Sequence, residues 1–485
     1  MNAVDENSGS QEQNRRPRPQ DESKTVSLYQ AHKKIYPRSV SGLFNRWRWF
    51  FVFLTQAVYY LTPWLQWGDR QAILLDLPAR RFYIFGLILF PQDVIYLTGI
   101  LIVSALSLFL FTAVAGRQWC GYACPQTVYT EIFLRIERFF EGDRSARMRL
   151  DKEPMSGKKF MRKAGKHITW IVLALWTGFT LVGYFTPIRE LFGNVLAGDL
   201  GPWESFWIPF YAFATYGFAG HMREQVCKYM CPYARFQSAM FDKDTLIVSY
   251  DAARGEPRGA RSKKVDPKTA GLGDCVNCSM CTQVCPTGID IRNGLQYECI
   301  SCAACVDACD EVMRKVGYPT GLIRYTTESA LKRGDTQDSL LKHIFRVRVL
   351  IYCTILAVVI GAFVTSLILR TPFKVDVVRD RAALGRVIKG GTIENIYRIQ
   401  IMNATEKPQT YHLSVHGIDG LKLVSDHEVT VDGAQSHWVT AVLHLPGEAA
   451  KHAHLKHGSH HIKFVIRSQH HKIDEKSKFI VPRRR

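Results

Sequence analysis

Apolar and polar positions alternate along this chain on more than one length scale, and each scale predicts a different kind of structure. Long apolar runs cover about Trp47–Trp67, Val94–Ala115, Ile168–Phe185, Phe206–Gly220 and Val349–Leu369. Each approaches the ~20 residues that a helix needs to cross the hydrocarbon core of a bilayer, so the pattern predicts five membrane spans. The fourth is the weakest and carries Pro209. Phe82–Phe90 is apolar but too short to cross, and it reads as re-entrant or interfacial. After the fifth run the period shortens to two, in Tyr397–Ile401, Tyr411–Val415 and His461–Ile466, with Gly, Asp and Asn between the runs. This predicts an antiparallel sandwich of immunoglobulin-like type over residues 374–485. Residues 1–41 are rich in Gln, Asn, Arg, Pro and Ser, with too little apolar surface to bury. They predict a disordered tail and lack the apolar core of a secretory signal.

Charge gives the pattern a direction. The formal net charge is +20 over 485 residues, which in a soluble protein would suggest nucleic acid. Here the excess lies in loops, so no nucleic-acid partner is expected. Between the second and third runs stand Arg117, Arg135, Arg138, Arg144, Arg147, Arg149, Lys152, Lys158, Lys159, Arg162, Lys163 and Lys166; between the third and fourth there is Arg189 alone. Basic loops stay on the cytoplasmic side. The N-terminus and the segment between runs four and five are therefore expected in the cytoplasm, and the last domain in the periplasm. The expected domains are a tail (1–41), a four-span membrane domain (42–247), a cytoplasmic cysteine-rich domain (248–342), a fifth span (343–373) and the sandwich (374–485).

Twelve of the thirteen cysteines fall into four tight groups. Two groups are successive ferredoxin motifs, Cys275-x2-Cys278-x2-Cys281-x3-Cys285-Pro286 and Cys299-x2-Cys302-x2-Cys305-x3-Cys309. Two-residue spacers let a tight loop aim three sulfurs at one point, while the fourth Cys points away and serves the other cluster. One [4Fe–4S] cluster is therefore assigned to Cys275, Cys278, Cys281 and Cys309, and a second to Cys299, Cys302, Cys305 and Cys285. Paired zinc sites or a disulfide framework would not need two matched copies of this spacing. Asp310 replaces the proline in the second copy, which leaves the ligands untouched. Thiolate ligands also call for a reducing compartment.

The other two groups repeat each other: Cys120-Gly-Tyr122-Ala-Cys124-Pro125 and Cys227-Lys-Tyr229-Met-Cys231-Pro232. Tyr60-Leu-Thr62-Pro63 and Tyr184-Phe-Thr186-Pro187 close the first and third runs in the same way. The membrane part thus reads as two copies of a two-span unit, and such repeats place functional sites at their interface. If the segments are helical, cysteines four apart share one face, suited to a shared soft metal such as copper(I), an iron–sulfur centre or a reversible disulfide. The plainer reading is small buried thiols at helix ends. Cys353 reads as packing. His221 suits a metal or a quinone headgroup, or simply an interfacial position. The run His452, His454, His457, His460 and His461 suits periplasmic metal capture, against the plainer reading of a solvated His-rich loop. Hydrolytic motifs are absent.

With these residues in view, the chain resembles the CcoG/FixG/RdxA family of cytochrome c oxidase accessory proteins. The resemblance is carried by Lys34-Ile-Tyr-Pro-Arg38, Pro63–Ala72, Phe85-Gly86 with Pro91-Gln-Asp93, Gly116–Thr127, both ferredoxin motifs and Tyr397–Asn403. It implies a bacterial inner-membrane protein that acts in assembly of the cbb3-type oxidase, similar to a copper reductase that supplies Cu(I) to the oxidase copper centre. In its Cys-x3-Cys-Pro half it is also similar to quinol dehydrogenase subunits of nitrate and nitrous-oxide respiration. The implied partners are a cytoplasmic electron donor, oxidase subunits or copper-delivery proteins, and the lipid bilayer. The resulting expectation is a cupric reductase-like oxidoreductase. A donor fills the two clusters, and Cys120, Cys124, Cys227 and Cys231 form the site where copper is reduced and held. Two alternatives stand beside it: a quinol-linked conduit with no copper role, and a non-redox assembly chaperone.

Overall fold

The computed structural model describes residues 34–261, 271–334, 346–380, 385–452, 455–469 and 471–482. Most of the predicted tail lies outside these residues, as do His454 and His470. Tyr36–Ser41, which the sequence placed in the tail, are bonded to the body. The Tyr36 hydroxyl donates to Asp151 at 2.7 Å, Arg38 N to the Gln283 carbonyl at 2.8 Å, and Ser39 N to Asp143 at 3.0 Å.

Helix α1 (Leu43–Leu61) starts without a capping side chain of its own. Its cap comes from far along the sequence. The Asp307 carboxylate accepts from the backbone N–H of Asn45 at 2.8 Å and of Phe44 at 3.3 Å. A Cβ at Gly42 would lie 2.2 Å from the Asp307 carboxyl carbon, so only glycine admits this carboxylate. The first helix is thereby tied to the cysteine-rich domain.

Residues 73–89 are strands rather than a re-entrant segment. Strands β1 (Ile73–Asp76), β2 (Arg81–Ile84) and β3 (Leu87–Leu89) form an antiparallel sheet. Leu74, Tyr83, Ile88 and Phe90 pack against Met402 of the last domain. Apolar length alone could not separate this outcome from an interfacial segment, because the apolar partner lies 300 residues away.

Helix α2 (Val94–Ala115) has the predicted bounds. Helix α3 (Pro125–Glu141) is amphipathic, and α4 (Gly157–Val182) starts eleven residues before the expected span, through its basic first half. Beneath it lies a buried ion network. Glu137 meets Arg147 at 3.0 Å and Arg223 at 2.9 Å, and Glu141 meets Lys166 at 2.7 Å. Removing one partner of such a buried pair is far more costly than the net worth of the pair. Helix α5 (Pro202–Thr215) contains Pro209 and runs on as a π-helical segment, Tyr216–Met222. Helix α6 is Pro232–Met240.

Strands β4 (Ile247–Tyr250) and β5 (Ile323–Thr326) pair antiparallel and bracket the cysteine-rich domain. Inside it, helix α7 (Ala304–Val316) packs Val306 and Met313 against Val248, Ile291 and Leu322. Helix α8 (Val347–Ile368) lies along α2, with the Tyr96 hydroxyl donating to the Ser366 carbonyl at 3.1 Å. Among the described residues, three helices are long and apolar enough to cross a membrane: Pro91–Ala115, Gly157–Val182 and Val347–Ile368. In the first and third of these, 6% of the apolar window is buried, so their apolar faces are left for lipid. Cys353, read as packing, is exposed on α8.

The last domain is a two-layer antiparallel sandwich. Strand β6 (Phe373–Arg379), β7 (Ile393–Asn403), β9 (Lys422–Leu423) and β11 (Ser436–Leu445) form one sheet in the order β9-β11-β7-β6, with Arg386–Val387 paired to the start of β7. Strands β8 (Gln409–His416), β10 (Glu428–Val431), β12 (Gly458–Arg467) and β13 (Lys472–Val481) form the other in the order β10-β8-β12-β13. All three runs singled out by their alternation lie in these strands. Tyr397, Ile399, Ile401, Leu413, Phe464 and Ile466 point into one core, each contributing about 1.5–3 kcal/mol of burial. Asp93, at the start of α2, meets Arg370 at 2.6 Å and Lys374 at 3.2 Å where α8 enters the sandwich. The other end of α2 meets the strand that leads into the cysteine-rich domain, where Leu246 N donates to Val114 O at 3.0 Å. The two extramembrane domains therefore sit at opposite ends of the same helix.

The cap gives a direct prediction. Asp307→Ala should cost about 1–2 kcal/mol of stability, read as a lower thermal midpoint in detergent with the clusters intact, while Asp307→Asn should lose less because it keeps an acceptor. An unchanged midpoint in the alanine variant contradicts the cap.

Candidate metal centre

The two ferredoxin motifs fold into two adjoining cages. Cys275, Cys278 and Cys281 line one cavity together with Cys309 from α7. Cys299, Cys302 and Cys305 line a second together with Cys285 from the first motif. Cys281 borders both. The structure thus groups Cys309 with the first motif and Cys285 with the second. Asp310, at the place of the missing proline, accepts from Gly321 N at 2.8 Å and closes the turn after α7 differently.

The backbone fits a cluster as well as the sulfurs do. Asn277 and Ser279 in the first motif have φ of 51° and 57°; Ser301 and Ala303, at the same positions of the second, have 52° and 56°. Left-handed conformation in a non-glycine residue costs of order 1–3 kcal/mol. Its repetition in both loops marks a requirement of the site. Alternation of this kind turns successive N–H groups toward one concavity and makes an anion nest. The N–H of Ser301 faces Cys299 and that of Ala304 faces Cys302.

Electrostatics points the same way. Burial pushes the Cys281 thiol up to about 11 and those of Cys299 and Cys309 up to about 12, with the neighbouring thiols adding to the rise. Arg292 beside Cys281 opposes it only in part. An iron–sulfur core would supply the positive charge that stabilises these sulfurs as thiolates. Such a core would supply one-electron transfer, and the eight cysteines are the residues that would hold it. Cys278 is exposed and Cys302 buried, so one cage meets solvent while the other turns toward the membrane helices.

The remaining cysteine pairs converge beside that inner cage, but not on a helical face. Cys120 sits in a short helical turn, Gln118–Tyr122, which ends before Cys124. Cys124 is the N-cap of α3, and Cys231 the N-cap of α6, each with proline at the first helical position. Cys227 lies in a π-helical segment, Val226–Met230. Proline suits N1, where no N–H is needed, and it breaks the α-helix that a single face would require. The sulfur at the N-cap gains instead the free N–H groups of the next turn, those of Gln126 and Thr127 at Cys124. Cys227 lies within electrostatic reach of Cys124, Cys120 and Cys231. Burial, with these neighbours, pushes its thiol up to about 12. Among the described residues no three His, Cys, Asp or Glu side chains close on a single ion position. The quartet is thus an open cage rather than a preformed mononuclear site. His221 stacks on His167, meets Trp170 edge-on and lies tilted against Tyr216.

Contact between quartet and inner cage is direct. Cys120 packs in one cluster with Ile300, Cys302, Ala304 and Ala308. A Cβ at Gly121 would lie 2.6 Å from the Ile300 carbonyl oxygen and 2.9 Å from Cys302 Cα. Arg117 donates to the Tyr297 carbonyl, and the buried Arg48–Glu131 ion pair lies beside Cys302. A small cavity is lined by Cys227, Thr127 and Thr130 together with Pro286, Thr287 and Ile300. Gly121, Arg48 and Arg117 carry no spacing signal. Their roles arise from contacts across more than 170 residues, which no local pattern encodes.

The fold and these cages define a two-cluster iron–sulfur electron-transfer protein mounted on membrane helices. Comparison with known proteins agrees. A family model described as a 4Fe-4S dicluster domain matches residues 222–328, one described as a 4Fe-4S binding domain matches 97–143, and one described as the IG-like fold at the C-terminal of FixG matches 363–482. Protein RdxB of Cereibacter sphaeroides is 41% identical, covering 84% of this chain and 88% of that one. Nitrogen fixation protein FixG of Rhizobium meliloti is 39% identical, covering 84% of this chain and 83% of that one. A crystal structure of a FixG-related protein from Vibrio parahaemolyticus, 24% identical, covers 23% of this chain and 97% of that one with a TM-score of 0.20. The chain belongs to the FixG/RdxA/RdxB family.

Crossed ligation is testable by pairs. Cys309→Ser should abolish the same cluster signal as Cys278→Ser, and Cys285→Ser the same one as Cys302→Ser, in EPR of the reduced protein. Loss of one signal in Cys281→Ser and Cys285→Ser alike, with Cys309→Ser affecting the other, contradicts the assignment.

Proposed function

We propose that this chain reduces Cu(II) to Cu(I) at the cysteine quartet and serves assembly of a cbb3-type cytochrome c oxidase. Cys275, Cys278, Cys281 and Cys309 would hold an outer cluster, open to a donor at the exposed Cys278, and Cys299, Cys302, Cys305 and Cys285 an inner one. Bound there, the clusters would supply the single electron that converts Cu(II) to Cu(I). Thiolates of Cys120, Cys124, Cys227 and Cys231 then hold the product, since soft sulfur favours Cu(I). The observation that carries this reading is the backbone contact of Gly121 with Ile300 and Cys302, which puts a candidate copper ligand against a cluster ligand.

The same reading gives the chain five spans, with α1 and α5 crossing beside the three longer helices, and two copies of a two-span unit. It puts the N-terminus and the clusters in the cytoplasm and the sandwich in the periplasm. Loop charge supports this orientation. So does the position of the two domains at opposite ends of α2. Oxidase subunits or copper-delivery proteins are the expected acceptors of Cu(I). One observation favours a second reading: the 4Fe-4S binding domain match covers 97–143, where Cys120 and Cys124 are the only cysteines. Under it the quartet holds a third iron–sulfur cluster, and iron and sulfide counts exceed those of two cubanes.

Two variants test the proposal. Changing all four quartet cysteines to Ser, with both cluster signals intact, should remove Cu(II) reduction by dithionite-reduced, desalted protein; unchanged reduction refutes the site. Gly121→Ala must displace backbone rather than a flexible side chain. It should slow reduction roughly ten- to a hundredfold, the scale of a 1 Å misplacement, and wild-type rates would show that this contact is not the route.

A further inference from the structure

The outer face of the β10-β8-β12-β13 sheet is basic, and strand register sets its cations against one another. Lys463 on β12 lies directly opposite Lys476 on β13, Arg467 opposite Lys472 and His461 opposite Lys478. On the other flank of β12, His416 of β8 lies opposite Lys463. All of these residues are exposed. The carboxylates that the strands bring to this face are Asp474, 3.1 Å from Lys472 and 3.7 Å from Lys463, and Glu428 on β10. Among the described residues, Lys476, Lys478 and Arg467 have no ion-pair partner.

Like charges directly opposite each other destabilise a sheet. Lysine on an edge strand has a plain structural use, because it keeps a second sheet from pairing there, and β13 is such an edge. That use does not reach Lys463 or Arg467, since β12 is paired on both sides. A face that serves only solubility mixes the two signs. This one keeps largely one sign across neighbouring strands, at a cost to its own stability.

The opposite side of the sandwich is already occupied. Tyr397, Ile399 and Ile401 fill the core, so Met402 turns outward from β7, and it packs on the β1–β3 sheet that precedes α2. On the same side Gln92 donates to Asp376 of β6 at 2.6 Å. The basic face therefore points away from the attachment to the membrane domain. A surface turned that way meets proteins in solution before it meets lipid headgroups.

We propose that the outer face of β8, β12 and β13, centred on the Lys463–Lys476 pair, docks a protein partner that presents clustered carboxylates, at the end of α2 opposite the cysteine-rich domain. Carboxylates seated between Lys463 and Lys476 would relieve the repulsion that the free face carries. Charge complementarity of this exposed kind steers encounter and is screened by salt. The inference is independent of the metal that the quartet takes.

Full-length protein in phosphatidylcholine nanodiscs is titrated with a fluorescent poly-glutamate peptide as the probe. Wild type should bind with an affinity that falls as salt is raised. Lys476→Glu combined with Lys478→Glu should weaken binding roughly tenfold, the scale of two exposed ion pairs replaced by repulsion. Its thermal midpoint should not fall, because a carboxylate opposite Lys463 turns a like-charged pair into an attractive one. An equal charge change elsewhere, Lys158→Glu with Arg162→Glu at the start of α4, should leave most of the binding in place. Wild-type binding in the β13 variant, or an equal loss in the α4 control, overturns the inference. So does loss of binding to phosphatidylglycerol vesicles in the β13 variant with peptide binding intact, which marks a lipid site. If the β13 variant melts lower than wild type, a poly-lysine peptide decides: the reversed face should bind it more tightly than wild type does, and no gain overturns the inference.

Discussion

A thiolate cannot be left uncompensated in a low-dielectric interior, and burial raises the cost of charge on Cys281, Cys299 and Cys309 in the two cages. It does the same for Cys124 and Cys227 of the quartet beside the inner cage. As thiolates, these sulfurs call for positive charge such as a metal supplies. The local backbone is arranged for that state: left-handed residues face N–H groups into the cages, and N-cap positions offer free N–H groups to Cys124. Sites tuned in this way select for metal rather than for a bare folded apo-form.

Around that constraint the helices act as spacers between domains. Asp307 belongs to the inner-cluster helix and caps α1, so the first helix cannot shift without disturbing the ligand loop. Gly121 brings the first Cys-Pro motif to the backbone of Cys302. At the far end of α2, Asp93 pairs with Arg370 and Lys374 and fixes the sandwich, which in turn buries Met402 against the β1–β3 sheet. The result is a rigid path from an exposed cysteine, Cys278, through two adjoining cages to a buried one, Cys120.

Much of this was legible in the sequence because the signals are local. Ligand spacing encoded both cages, including the exchange of Cys285 and Cys309. Period-two alternation marked strands β7, β8 and β12, and apolar length marked α2 to the residue. Failures occurred where the decisive partner is remote. Phe82–Phe90 looked interfacial because its apolar partner, Met402, is far along the chain. Four-residue spacing puts the paired cysteines on one helical face, but Pro125 and Pro232 start new helices right after Cys124 and Cys231 and break that face.

The most direct test is a single-turnover EPR experiment on dithionite-reduced, desalted protein mixed with one equivalent of Cu(II). The account predicts that the Cu(II) signal vanishes while the reduced-cluster signal falls by half, one electron leaving the two clusters, with Cu(I) retained on the protein. Persistence of the Cu(II) signal beside clusters that stay reduced would contradict it.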